Sequence, residues 1–66
     1  MSSSTRGKVR EELEGIHTNL DWARYHATKI CVLVGDRRPD ITELMEQFAR
    51  LMQELDTMLA EVYSRI

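Results

Sequence analysis

Cysteine is nearly absent: Cys31 stands alone among 66 residues, so no disulfide can form within one chain. His17 and His26 are the only histidines, and no group of Cys and His sits at zinc-finger spacing, so neither a structural metal nor a cofactor is expected. Long apolar runs are also missing. The longest, Ile30 to Val34, is far too short to span a bilayer, and Met1–Ser4 lacks the basic start and apolar stretch of an export signal. No membrane association is expected, and the cytoplasm, where a lone reduced cysteine is ordinary, is the expected location. Excess positive charge is absent too. A formal net charge of −2 argues against a protein whose main task is coating nucleic acid, because that affinity comes from Lys and Arg neutralising several phosphates.

What is present is a short chain rich in apolar residues, at 42%, and charged ones, at 30%. A domain this small buries only about 60% of the surface exposed by its unfolded chain, so without disulfide or metal its core needs a partner chain. Self-association is therefore the first expectation. Charge is divided unevenly along the chain: residues 1–35 hold one more basic than acidic residue, while residues 41–66 hold Glu43, Glu46, Glu54, Asp56 and Glu61 against Arg50 and Arg65. Two such halves attract weakly side by side, in a way that salt screens.

Periodicity predicts an all-α fold. Val9, Leu13, Ile16, Leu20, Ala23, Ala27, Ile30 and Val34 recur at alternating gaps of four and three, a sustained heptad stripe. Ile41, Leu44, Phe48, Leu51, Leu55, Met58 and Val62 repeat the pattern, with Met45, Met52, Leu59 and Ile66 widening it into the broad face of a bundle helix. Between the stripes, Gly35 suits a left-handed helix end and Pro39 prevents easy continuation. Asp40 and Glu43 have the spacing of an acidic capping box. The expected layout is a disordered Ser-rich start over residues 1–4, helices over 5–34 and 41–66, and a turn over 35–40. Such a short connection makes the helices antiparallel neighbours, an αα-hairpin roughly 40–45 Å long at 1.5 Å per residue. A homodimeric four-helix bundle would cover the remaining apolar surface, with Leu20, Ala23, Ala27, Phe48, Met52, Leu55 and Leu59 as the expected oligomer interface.

Chemistry-bearing residues are sparse. Trp22, Tyr25, Lys29 and Val32 follow at spacings of three, four and three on the side of the first helix away from its stripe, an arrangement that suits binding of a partner or ligand. Its bland alternative is a second oligomer contact, or packing under a frayed N-terminus. Arg37 and Arg38 in the turn can clamp a phosphate or meet acidic residues, or merely sit at the negative end of the first helix. His17 and His26 lie on opposite sides of their helix and cannot share a metal within one chain; Asp21, one turn after His17, is its expected partner. Cys31 reads as a small hydrophobe at the core edge. Glu14-x-x-His17 has no counterpart on the second helix, as a di-metal carboxylate bundle would require, and there is no phosphate loop, nucleophile elbow or HExxH, so an enzyme is not expected.

The stretch Gln53-Glu54-Leu55-Asp56, followed by Leu59 and Tyr63, resembles the tail of a family of small two-helix sporulation phosphatases that direct an acid-bearing helix into a response regulator. Met52 stands where that family has Ser, and the interval from glycine turn to motif is longer here. The likeness covers about a dozen residues, and no role is carried over to Asp56. In length and layout the chain is also similar to the Rop-type plasmid regulator, a homodimeric four-helix bundle that binds an RNA pair, though no motif is shared. The functional expectation is a small adaptor, inhibitor or regulator that docks a partner protein through Trp22, Tyr25 and Lys29. The alternative is a nucleotide- or RNA-binding bundle that stacks bases on the same rings and meets phosphates with Lys29, Arg24, Arg37 and Arg38.

Overall fold

The computed structural model describes residues 1–66 as two antiparallel helices and nothing else of size. Helix α1 runs Ser3–Val34, a single 3₁₀ turn covers Gly35–Arg37, and helix α2 runs Pro39–Arg65. The heptad stripes thus form helices as expected, but both starts differ. Ser3 and Ser4, expected to lie outside the helix, are its first residues, because the Ser2 hydroxyl accepts from the Thr5 amide at 3.2 Å and caps α1 two residues early. Helix α2 starts at Pro39 instead of Ile41. Proline at the first helical position lacks an amide that would be unpaired there anyway, and its fixed φ already suits a helix. The expected Asp40–Glu43 capping box is not formed: no side chain caps α2, and Asp40 instead pairs with the Arg38 guanidinium through contacts of 2.8 and 3.1 Å.

The turn is four residues long and owes its shape to one position. Gly35 has φ of +56°, where side chains with a Cβ are strained, and its amide donates to the Cys31 carbonyl to close α1. Arg37 then folds back, its Nη2 donating to the Leu33 carbonyl at 3.0 Å and its Nε reaching the Val34 carbonyl at 3.4 Å. Two carbonyls at the end of α1 thereby gain a guanidinium donor, which places a positive charge at the negative end of the helix.

Dimensions decide what kind of core is available. The principal extents are 53 × 15 × 9 Å, a single layer two helices wide and one helix thick. Stable domains need a second layer against which to bury an apolar face. Accordingly only Leu13 and Ala27 are buried, at 8% and 4% exposure. Half-buried Leu20, Ala23, Cys31 and Val34 on α1 and Ile41, Met45, Phe48, Met52 and Leu59 on α2 complete the seam.

The roles of the two apolar rows on α2 are reversed from their prominence in the sequence. Met45, Met52 and Leu59, which seemed only to widen the stripe, are half-buried, whereas Leu44, Leu51, Leu55, Met58 and Val62 of the main stripe stand exposed. Gly15 sits inside α1 on an exposed position, and a Cβ there would meet nothing within 4 Å. Gly15→Ala is therefore expected to stabilise the fold by about 1 kcal/mol per chain through helix propensity alone. A thermal melt that shows no gain would place an unseen contact at this position.

Candidate functional site

Two groups of polar and aromatic side chains occupy α1, and they have different characters. The outer group is the aromatic strip. Trp22 and Tyr25 meet edge to face with ring centroids 5.6 Å apart, and His26 lies 6.2 Å from Trp22 in a near-stacked arrangement and 5.5 Å from Tyr25. Lys29 places its ammonium 5.2 Å from the Tyr25 ring centroid. The spacing puts Trp22, Tyr25 and Lys29 on successive turns, so one side of the helix carries them all. Trp22 is 57% exposed, and Val32 at the end of the strip is exposed as well. Within one chain, then, the strip lies on the surface and no part of it packs under the N-terminus.

His26 joins this cluster in addition to the residues that the sequence singles out. Its spacing of four from Trp22 is the available sequence signal, but the same spacing equally suits a histidine that covers a core edge.

The second group bridges the helices. His17 approaches the Asp56 carboxylate through Nδ1 at 2.5 Å and the Asp21 carboxylate through Nε2 at 3.3 Å. Asp21 also takes an ion pair from Arg24, whose other terminal nitrogen donates to the Gln53 side-chain carbonyl at 2.5 Å. Further along, the Arg10 guanidinium lies 5.3 Å from the Tyr63 ring centroid. The Asp21 partner was legible from its spacing of four; Asp56 was not, being 39 residues from His17. Once the turn is fixed at Gly35–Arg38, antiparallel register supplies the signal: His17 and Asp56 are equally far from it, as are Arg10 and Tyr63.

The hydrogen bond to Asp56 first, and the charges of Asp21 and Asp56 next, raise the His17 pKa above the ordinary 6.5, against weaker opposition from desolvation and from Arg24. A raised value means that the folded state holds the proton more tightly than the unfolded one. The resulting stabilisation is complete below about pH 6.5 and is lost as pH rises through the folded value. Melting temperature is expected to fall as pH is raised from 6 towards 8, and His17→Gln to remove most of that slope. A parent chain with flat stability across this range would contradict the bridge.

An open groove of about 340 Å³ lies beside this pair, its lining including Leu13, Glu14, Leu59, Tyr63 and Ser64 as well as His17 and Asp56. Its chemistry is limited. Both His17 nitrogens face carboxylates, so the ring is engaged by acidic partners within the chain. The Ser64 hydroxyl donates to the Glu61 carbonyl at 2.8 Å. No three His, Cys, Asp or Glu side chains gather to hold a metal ion.

The turn arginines are both engaged inside the chain: Arg37 with the end of α1, and Arg38 with Asp40, whose carboxyl that guanidinium holds below its usual value. They lie at the hairpin tip and are not brought together with Trp22, Tyr25 and Lys29. Among the expected oligomer-interface residues, Ala27 is buried within the single hairpin, Leu20, Ala23, Phe48, Met52 and Leu59 are half-buried, and Leu55 is 41% exposed. Neither helix is long and apolar enough to cross a membrane. The chain matches no known protein family, no characterised protein and no solved structure.

Proposed function

We propose that the chain is a small, non-catalytic, homo-oligomeric interaction protein of the cytoplasm, an adaptor, inhibitor or regulator built as a helical bundle, that docks a partner protein through the outer strip of α1. The observation that carries this reading is the exposed Trp22–Tyr25–His26 cluster with Lys29 beside it. Tryptophan and tyrosine are among the residue types that dominate protein interfaces, and a rigid helix presents them at little cost in entropy. The partner that fits is a protein segment with an apolar side chain to lie against Trp22 and Tyr25 and a carboxylate to meet Lys29. Bases can stack on the same rings, but a nucleic-acid ligand would find Arg37 and Arg38 already held by α1 and Asp40.

Trp22 is the only tryptophan, so its fluorescence reports on the strip directly. A partner captured by the parent chain, then purified and titrated back, is expected to shift Trp22 emission to the blue, and to be lost with Tyr25→Ala and with Lys29→Glu. Retention by both variants would refute the strip as the docking site. Binding that instead weakens steeply with salt and needs RNA or a nucleotide would favour the nucleic-acid reading.

A further inference from the structure

We infer that a second copy of this chain covers one particular face of the hairpin, formed by Ile16 and Ile30 of α1 with Leu44, Leu51, Leu55 and Val62 of α2. This specifies the homo-oligomeric part of the reading above and makes no use of the aromatic strip.

Helix geometry brings the six residues together. At 100° per residue, Ile16, Ala23 and Ile30 lie on the edge of the α1 seam opposite His17 and Arg24, and Leu44, Leu51, Leu55 and Val62 lie on the edge of α2 opposite Gln53 and Asp56. The pairs His17–Asp56 and Arg24–Gln53 close one edge of the seam. The two apolar edges therefore fall on the other side, as one surface. All six residues are between 38% and 58% exposed in the single chain. The row Leu44, Phe48, Leu51, Leu55, Met58, Val62 keeps gaps of four and three without a charged residue at any of its positions, the pattern that interlocks with another helix.

The uncovered area matches what one further copy of the chain would bury. The chain exposes 5220 Å², whereas a compact monomer of its mass would expose about 4,300 Å². The excess of about 900 Å² is close to the roughly 800 Å² that each partner buries in a standard interface. A two-fold dimer brings the same patch from each copy together, so an uncharged apolar face is complementary to itself. It also supplies the second layer that a sheet of helices 9 Å thick lacks. Trp22, Tyr25 and Lys29 lie on the back of α1, away from this face, and remain outside on both copies.

The test uses thiol labelling and sedimentation of the full chain. In a Cys31→Ser background, the Leu51→Cys thiol is expected to react slowly with a maleimide at high protein concentration and quickly on dilution, while the Val32→Cys thiol reacts quickly throughout. Leu51→Glu is expected to weaken self-association by about a hundredfold, because a carboxylate would be desolvated between the copies. Trp22→Ala is expected to leave association as in the parent. The inference is overturned if Leu51→Cys labels as fast as Val32→Cys at every concentration, if Val32→Cys is the protected thiol, or if Trp22→Ala dissociates the assembly. Because labelling reads packing whether or not Leu51→Glu folds, a misfolded variant does not rescue the idea. Loss of partner capture with association intact would sink the docking strip alone.

Discussion

Leu13→Ala is expected to leave the chain largely unfolded at micromolar concentration. Leu13 is the one large side chain buried by the hairpin itself, with 8% of its surface exposed, and it lies on α1 near the groove beside Leu59 and Tyr63. Truncation of a buried leucine costs about 2–5 kcal/mol, the transfer of the lost atoms plus the cavity left behind. A chain of this size seldom has more than ~3–5 kcal/mol in total. Removal of Leu13 therefore uses up most or all of the margin. Leu13→Met, which keeps the volume, is expected to cost less than about 1.5 kcal/mol and to stay helical. Far-ultraviolet circular dichroism of the three proteins in a urea series separates these outcomes. A Leu13→Ala chain that unfolds at nearly the same urea concentration as its parent would move the centre of the core elsewhere.

The melting temperature should also depend strongly on protein concentration. If folding and pairing of two hairpins are one event, each tenfold dilution removes about 1.4 kcal/mol of stability per dimer. With an unfolding entropy of about 2.1 cal/mol/K per residue summed over two chains, this corresponds to a fall of about 5 °C for each tenfold dilution. A hundredfold dilution series should span about 10 °C, well above the error of a melt. A monomeric hairpin would show no shift.

Much of the architecture was legible because its signals are local or periodic. The stripes Val9 to Val34 and Ile41 to Val62 could only be helices, and Gly35 with Pro39 could only interrupt them. The helix starts were harder, since Ser2, Ser3, Ser4 and Thr5 are all competent caps and only backbone geometry selects Ser2. At α2, the helix begins at Pro39, so Asp40 lies inside the first turn instead of at the capping position, and its carboxylate pairs with the Arg38 guanidinium. The division of α2 into an inner row of Met45, Met52 and Leu59 and an outer row of Leu44, Leu51, Leu55 and Val62 was hidden, because both rows are apolar and a stripe of three residues per heptad does not say which edge faces the neighbour.

The candidate site follows the same logic. Trp22, Tyr25 and Lys29 were visible because aromatic residues are conspicuous on the outer side of an amphipathic helix. The His17–Asp56 bridge was not, since it depends on the register of the whole hairpin. That bridge gives the seam a polar edge as well as an apolar one, and so determines which side of the hairpin is left uncovered.

The central claim is that this hairpin is one half of an assembly, folded because a second copy completes it. Sedimentation equilibrium of the parent chain at tens of micromolar tests it most directly. The expected result is a mass of twice the 7.7 kDa chain, with helical content lost on dilution as the mass falls. A species of single-chain mass that keeps its full helical signal at those concentrations would contradict it.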